Sequence, residues 1–259
     1  MSDDLLSNID AGVLTLTLNR PERRNALSWS LIGELRAAVQ AARRDAAVRV
    51  IVFEGAGDKA FCAGADLGGM ADGASQFDLH NQRGELAGLF LDLYGAGKPT
   101  IAKVRGFCLA GGFGLAAACD LVVAANDAVF ATPEIDVGLW PFMITVPLTR
   151  SMAPKKALEL MMTGRRIDAA EADALGLLTR VVAPEDLDAA VAELAATLAA
   201  KSPAVMTLGR DAFYSVAGRP APEALAQLHP LLSINNLMDD AAEGIAAFRE
   251  KREPRWSGR

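Results

Sequence analysis

Residues 99–131, PTIAKVRGFCLAGGFGLAAACDLVVAANDAVFA, decide the fold class. The stretch begins with a strand-like run at 99–105 and passes through paired glycines into a helical segment that ends at Cys119. Two short apolar runs at 121–125 and 128–131 predict further strands. Because strands and helices alternate, we predict an α/β fold.

The segments that precede this stretch follow the same alternation. Residues 12–18 and 48–53 predict strands because apolar and β-branched residues dominate them. Residues 28–44 and 79–94 predict helices because large apolar residues recur at helical spacing. Residues 54–67 are so rich in glycine and alanine that we predict a long loop at the end of the second strand.

The C-terminal part of the chain has a different character. Residues 178–182 predict the last strand, and every segment beyond Pro184 carries a helical pattern. We place a boundary near residue 200, which gives a core at 1–200 and a helical region at 201–259. An appended helical region packs on its own core or on a neighbouring subunit, so we expect a homo-oligomer.

Composition excludes several classes of protein. The 259 residues carry 26 Lys and Arg against 32 Asp and Glu, a net charge of −6, so we expect no nucleic-acid partner. The longest uncharged stretch, at 224–238, runs 15 residues, short of the roughly 20 that span a bilayer, so we expect no membrane partner. The acidic N-terminus resembles no signal peptide, and we expect a cytoplasmic protein.

The sequence is poor in the residues that usually carry catalysis or bind metals. It contains three cysteines, at spacings that match no zinc pattern, and only two histidines. We therefore expect buried structural thiols and no metal site. Any chemistry has to rely on carboxylates and on main-chain groups.

The glycines at the start of the central helix allow more than one interpretation. Residues 112–117 read G-x-G-x-x-A, and Glu134 follows at the distance of a ribose-binding acid, so a dinucleotide dehydrogenase is one hypothesis. Close helix–strand packing without any ligand is another. A third is an anion site, because the N–H groups at a helix start point to one spot.

Several motifs, taken together and in order, resemble the crotonase superfamily, which comprises enoyl-CoA hydratases and isomerases. The resemblance is collinear from about residue 12 to the end of the chain. Its motifs are NRPERRNALS at 19–28, FCAGADL at 61–67, GFCLAGGFG at 106–114, ACD at 118–120, FATPE at 130–134, TGRRI at 163–167 and ALGLL at 174–178.

The resemblance implies a crotonase-like spiral of ββα repeats with a helical C-terminal region that forms a trimer or a dimer of trimers. It implies an acyl-CoA thioester as substrate, with coenzyme A as part of that substrate and no permanently bound cofactor. The N–H groups of Ala65 and Gly111 would hold the thioester carbonyl, and Glu134 would be the acid/base. The substrate-binding positions implied are Arg24, Ala26, Leu27, Ala63, Asp66, Leu67, Gly112, Gly114, Trp140, Phe142 and Lys251.

The carboxylates separate the reactions within this family. Hydratases use two glutamates, which would fall at positions 114 and 134, but residue 114 is glycine. A single base can instead move a proton from one carbon to another, so we expect double-bond isomerisation. Two alternatives stay open: a hydratase with a second acid from Asp78, His80 or Glu85, and a non-catalytic acyl-CoA-binding protein.

Overall fold

The computed structural model describes residues 3–66 and 75–259, so the predicted substrate-binding Leu67 lies outside the described residues. The strands are β1 (Leu5–Asp10), β2 (Val13–Leu18), β3 (Val50–Gly55), β4 (Ala60–Cys62), β5 (Thr100–Val104), β6 (Phe107–Leu109), β7 (Leu121–Ala125), β8 (Val129–Ala131), β9 (Ile167–Asp168) and β10 (Arg180–Val182). The α-helices are α1 (Trp29–Arg44), α2 (Gln76–Tyr94), α3 (Gly111–Ala118), α4 (Thr145–Ser151), α5 (Pro154–Thr163), α6 (Ala169–Ala174), α7 (Leu187–Ala199), α8 (Pro203–Val216), α9 (Ala221–Asn236) and α10 (Asp239–Glu250). Short 3₁₀ helices occupy Pro21–Arg23, Pro133–Val137 and Pro184–Asp186.

The strands form two sheets. The larger has the order β1-β2-β3-β5-β7-β10, with β1 antiparallel to β2 and all other neighbours parallel. The smaller has the order β4-β6-β8-β9, in which β4, β6 and β8 run parallel. Consecutive strands therefore alternate between the two sheets through most of the chain.

This alternation produces a repeated unit. In β3-β4-α2, β5-β6-α3 and β7-β8-α4, the first strand joins the large sheet, the second joins the small sheet and a helix follows. Each repeated unit thus adds one strand to the large sheet and one strand to the small sheet. The α/β prediction is confirmed.

The large sheet is covered on both faces, as a parallel sheet requires. Side chains of β3 alternate, so that Ile51 and Phe53 join the main core, which also contains the apolar faces of α1, α2 and α3. Val50 and Val52 join a second core formed with Leu187 and other residues of α7. The helices α1–α3 and α7 therefore sandwich the sheet that carries the repeated units.

The predicted loop at 54–67 was wrong in part, because it contains the strand β4. All three residues of β4 are buried, and the strand pairs with β6, where Cys62 lies opposite Cys108. A run of three residues has no visible period, so its strand conformation comes from this distant pairing and not from local pattern.

The helical C-terminal region is anchored by buried charges but leaves apolar side chains exposed. Arg210 in α8 donates to Asp120 at 2.7 Å, and both side chains are largely buried. Leu237 and Phe248 are 86% and 85% exposed. The predicted boundary near residue 200 falls between α7 and α8, and the division into two regions stays a prediction.

No single helix among the described residues is long and apolar enough to cross a membrane. Residues 184–199 and 203–216 pass such a test only as a pair, and that pair is bent by 103°.

Candidate active site

Three parallel strands of the small sheet end at one edge, and each is followed at once by a predicted site residue. β4 leads to Ala65, β6 leads to Gly111 and β8 leads to Glu134. The register places Cys62 opposite Cys108 and Leu109 opposite Ala131, so the three strand ends are level. Carboxyl ends of parallel strands are where α/β proteins place their ligands.

Ala65 is held so that its N–H faces away from Leu27, with which it forms an isolated bridge. Leu27 donates to the Gly64 carbonyl at 2.7 Å, and Asp66 donates to the Leu27 carbonyl at 2.9 Å. In such a parallel bridge the residue between the two bonds, here Ala65, directs its own N–H to the opposite side. Within the described part of the chain this N–H donates to no acceptor.

The opposite side is the start of α3. Gly111 is the first residue of this helix, so its N–H has no partner within the helix. A β-carbon added to Gly111 would lie 3.9 Å from the Ala65 nitrogen, with side-chain carbons of Leu27 and Leu86 at 3.6 and 3.7 Å. Two unpaired N–H groups therefore lie close together beside apolar side chains.

The backbone conformation that produces this arrangement is strained. Ala110 has φ +50° and ψ −126°, a region that favours glycine, and its N–H is fixed to the Ala131 carbonyl at 2.9 Å. Gly64 has φ +100°, and a β-carbon there would lie 2.6 Å from the Ala110 β-carbon. Only glycine allows the Ala65 segment to approach α3 this closely.

Glu134 sits in a rigid 3₁₀ turn at Pro133–Val137. Thr132 precedes the turn, is fully buried and donates its hydroxyl to the Leu160 carbonyl at 2.9 Å. Gly138 ends the turn with φ +76°, and Leu139 donates to the Glu134 carbonyl at 2.9 Å. The backbone of Glu134 is thus fixed at both ends, so its carboxylate projects from a defined position.

The carboxylate of Glu134 is poorly solvated. Its Oε2 atom is buried and has no hydrogen-bond partner among the residues that the structure describes. Burial raises the pKa of Glu134 above its ordinary value, and the N–H of the same residue offsets this in part. A carboxylate with an unpaired oxygen and a raised pKa is a stronger base than a solvated one and is suited to proton transfer.

The space next to Gly114 is filled by an apolar side chain. A β-carbon at Gly114 would lie 2.2 Å from Ile144 Cγ2, 2.8 Å from Ile144 Cβ and 3.0 Å from Phe90 Cζ. Ile144 and Phe90 are 2% and 4% exposed. Ile144 therefore occupies the direction in which a glutamate at position 114 would extend.

Other predicted substrate-binding residues lie near the same strand ends. Ala26 and Ala63 are half-buried and Leu27 is fully buried. The main chain joins this group to Arg24, because Ala63 donates to the Arg24 carbonyl at 3.0 Å. Asp66 accepts from Arg20 at 2.8 Å. The predicted backbone groups for the CoA arm therefore lie along one paired segment.

The remaining predicted residues differ in their surroundings. Gly112 packs directly on β4, since a β-carbon there would lie 2.4 Å from the Cys62 carbonyl oxygen. Trp140 is half-buried against the main core, whereas Phe142 is 69% exposed. Lys251 is exposed at the end of α10. The described structure does not bring Trp140, Phe142 and Lys251 together at one place, and their substrate roles stay predictions.

The side chains considered as a second acid have other positions. At the start of α2, the Asp78 carboxylate accepts from the Ser75 hydroxyl and the Asp78 N–H donates to the Ser75 Oγ. Glu85 pairs with Arg36 at 2.7 Å. His80 is exposed on the same helix. The residue of α2 that reaches Gly111 is Leu86.

The three cysteines are buried and unpaired, as expected. Burial raises the pKa of Cys62 to about 12, so its thiol is not a nucleophile at neutral pH. Over residues 3–66 and 75–259, no group of three His, Cys, Asp or Glu side chains is arranged to hold a metal ion.

Two residues that sequence reasoning missed are central to the geometry. Ile144 fills the space at Gly114, and Arg20 joins Ala26 to Asp66. Ile144 gives no local signal because it reads as an ordinary core residue. Arg20 lies within the NRP motif at 19–21, and a buried arginine partner for the nearby Asp66 is not visible from spacing alone.

Comparison with known proteins identifies the relatives of this chain. The family model described as enoyl-CoA hydratase/isomerase matches residues 8–259. A probable enoyl-CoA hydratase of Mycobacterium tuberculosis is 36% identical over 262 residues, covering 99% of both chains. The carnitinyl-CoA dehydratase of Escherichia coli K12 is 35% identical over 264 residues, covering 100% of both. A solved structure of an enoyl-CoA hydratase from Mycobacterium smegmatis has a TM-score of 0.94 at 37% identity, covering 98% of this chain and 99% of the other.

Proposed function

Because the chain belongs to the enoyl-CoA hydratase/isomerase family and is therefore an enzyme that acts on CoA thioesters, we propose that it moves the double bond of an enoyl-CoA from C3–C4 to C2–C3. The family and the crotonase-like fold that the motifs predicted are confirmed. The observation that carries the proposed reaction is the apolar surroundings of position 114, which leave Glu134, with its buried and unpaired Oε2 atom, as the acid/base that the motifs imply.

The first step of the proposed reaction is polarisation of the thioester carbonyl. The N–H groups of Ala65 and Gly111 donate to its oxygen, and the positive end of the α3 dipole adds to their effect. Because these donors are main-chain groups held by the bridge to Leu27 and by the start of α3, little reorganisation is needed. Each such donor contributes on the order of 3 kcal/mol to transition-state stabilisation.

The second step is transfer of a proton along one face of the substrate. The Glu134 carboxylate removes a proton from C2, and the electron pair of that C–H bond forms a dienolate with its negative charge on the thioester oxygen. The Glu134 carboxylic acid then returns the proton to C4, which leaves the double bond between C2 and C3. No atom is gained or lost, and Glu134 ends in its starting form.

Gly114 and Ile144 support isomerisation over hydration. Hydration needs one group to activate water and another to protonate C2, and loss of one acid/base group costs roughly 10²- to 10⁴-fold. The space at position 114 contains the Ile144 side chain instead of a carboxylate. We therefore assign no general base for water at this position.

The remaining substrate contacts follow from the same segment. We propose that the main chain at Ala26, Leu27 and Ala63 lines the CoA arm, and that Arg24 lies near the CoA phosphates. The guanidinium groups of Arg24 and Arg166 lie 5.8 and 5.6 Å from the Phe107 ring, which supports a positive patch there. Lys251 is proposed as a further phosphate contact.

We also propose that the helical C-terminal region forms a homotrimer, or a dimer of trimers. This is supported by α9, which buries no side chain in one chain, and by Leu237 and Phe248, which are almost fully exposed. Exposed apolar side chains of this size are typical of subunit contacts.

Incubation of the protein with a 3-enoyl-CoA tests the proposed reaction. We expect an increase in the absorbance of the conjugated 2-enoyl thioester without any change of mass. Glu134→Gln should abolish turnover while a saturated acyl-CoA still binds. Full activity of this variant would contradict the proposal.

A second candidate is hydration of a 2-enoyl-CoA, or the reverse elimination of water, which the names of the hydratase and dehydratase relatives favour. The protein is therefore also incubated with a 2-enoyl-CoA, in which a mass increase of one water would identify hydration. Binding without absorbance or mass change would identify a non-catalytic acyl-CoA-binding protein.

A further inference from the structure

We infer that Arg20 is a positioning residue for the Ala65 N–H donor, holding it in place through the buried ion pair with Asp66. The inference rests on the proposed function, because it assigns Arg20 to the same carbonyl-binding site. Arg20 touches neither of the reacting atoms in this assignment. It acts by fixing the two chain segments between which Ala65 lies.

The guanidinium group of Arg20 joins both sides of the pairing that presents Ala65. NH1 donates to the Ala26 carbonyl at 2.7 Å, and NH2 donates to Asp66 Oδ2 at 2.8 Å. Ala26 precedes Leu27, and Asp66 follows Ala65, so one planar group spans the two segments of the Leu27–Ala65 bridge. Two directed donors on a rigid plane fix a separation that a single point charge does not.

The main chain at Arg20 is itself fixed. Its main-chain N–H donates to the side chain of Asn25 at 3.0 Å. Asn25 is 1% exposed and donates to the carbonyls of Ala56 and Ala60 at 3.0 and 2.8 Å. Arg20 is therefore tied to the start of β4, the strand that leads to Ala65.

The ion pair also has an electrostatic consequence for the site. Asp66 is adjacent to Ala65 in the chain, and the side chains of Asp66 and Arg20 are only 11% and 14% exposed. An unpaired carboxylate here would raise the energy of a negative charge that develops at the Ala65 N–H. Arg20, which also pairs with Asp4 through Nε at 3.2 Å, offsets the charge of Asp66 as well as fixing the geometry.

Arg20→Ala tests the inference by a readout that stability alone does not change. In the wild type, a bound 4-dimethylaminocinnamoyl-CoA should absorb at longer wavelength, because donors at the carbonyl oxygen draw electron density towards it. We expect Arg20→Ala to weaken this red shift and to lower kcat for the 3-enoyl-CoA by about 10- to 100-fold, the effect of a misplaced donor. Arg20→Lys should retain part of both, and Asp66→Asn in the Arg20→Ala background should restore part of kcat.

Arg210→Ala is the matched control, because Arg210 of α8 forms a similarly buried ion pair with Asp120, which lies between α3 and β7. It should lower the melting temperature while each bound probe molecule keeps the full red shift. If Arg20→Ala does not fold, the red shift and kcat are measured on Arg20→Lys instead. A wild-type red shift and kcat in the folded Arg20 variant would overturn the inference and leave the proposed reaction intact. Absence of isomerisation by the wild type would overturn the proposed reaction, while the red shift of the bound probe would still test Arg20.

Discussion

Placing a glutamate at position 114 should fail unless Ile144 is removed with it. A β-carbon at Gly114 would lie 2.2 Å from Ile144 Cγ2, whereas non-bonded carbon atoms have optimal separations of about 3.5–4.0 Å. Truncation of Ile144 to alanine is not sufficient, because the Ile144 β-carbon itself would lie at 2.8 Å. The variant that makes room is therefore Gly114→Glu with Ile144→Gly.

The magnitude follows from the packing. Overfilling a core site costs about 1–3 kcal/mol, and a buried carboxylate without partners adds roughly 1–3 kcal/mol. Gly114→Glu alone should therefore lower the free energy of unfolding by about 2–6 kcal/mol. Ile144→Gly alone should cost about 2–5 kcal/mol, because it leaves a cavity beside Phe90. In the double variant the new side chain occupies that cavity, so we expect a favourable coupling energy of about 2–3 kcal/mol.

Urea unfolding of the wild type, both single variants and the double variant measures this coupling. Gly33→Glu is the matched control, because Gly33 lies on α1 with no atom within 4 Å of an added β-carbon. The control should be neutral or slightly stabilising, since glycine is a poor helix former. The same four proteins are then incubated with a 2-enoyl-CoA, and the double variant should gain the mass increase of one water.

Two results would refute this reasoning. A Gly114→Glu single variant as stable as the wild type would show that Ile144 does not limit the space at position 114. A well-folded double variant with a large coupling energy but no faster hydration would show that a carboxylate at position 114 does not supply the missing acid/base group.

Three further predictions concern the main-chain donors and Glu134. Because burial raises the pKa of Glu134, kcat/KM should fall with decreasing pH already above the ordinary glutamate value of about 4.3, and a pH profile that is flat down to that value would contradict this. The folded-state pKa lies above the unfolded one, so folding stability should decrease as pH rises through the folded-state pKa. Glu134→Gln should therefore raise the melting temperature at neutral pH and lose this advantage in acid, and an equal effect at both pH values would exclude a titrating Glu134. Gly64→Ala should lower kcat at least about 10-fold, because φ at this residue is +100° and a β-carbon there would lie 2.6 Å from the Ala110 β-carbon. Steady-state kinetics of a variant shown to be folded measures this effect. An unchanged kcat would disprove the close approach of the Ala65 segment to α3.

The parts of the fold that the sequence predicted correctly are those with local causes. The predicted helix at 28–44 has such a cause, because Ser28 caps α1 by accepting from the Leu31 N–H. The all-apolar run of α3 predicts a helix buried on every side, and each of its residues is buried. These signals depend on residues three or four positions apart, so they are visible in one sequence.

The parts that escaped prediction depend on contacts between distant residues. β4 becomes a strand through its pairing with β6, and its own three residues carry no pattern. The Arg20–Asp66 pair joins residues 46 positions apart. The contact of Ile144 with Gly114 likewise depends on how α4 packs on α3. No periodicity or capping signal encodes such contacts, so the electrostatics and the exact shape of the site required the structure.

The arrangement explains how a chain with two histidines and few aromatic residues can build an active site. Ala65 and Gly111 are presented by strand ends and by strained backbone, so the proposed polarisation of the carbonyl requires a glycine at position 64 and no catalytic side chain. The polarised carbonyl stabilises the negative charge on the thioester oxygen in both reactions, whether it arises from loss of the C2 proton or from attack of water at C3. What distinguishes isomerisation from hydration must therefore lie in the groups that deliver protons and water. In the proposed site those groups reduce to one carboxylate at Glu134, because the side chain of Ile144 lies where a second carboxylate would project.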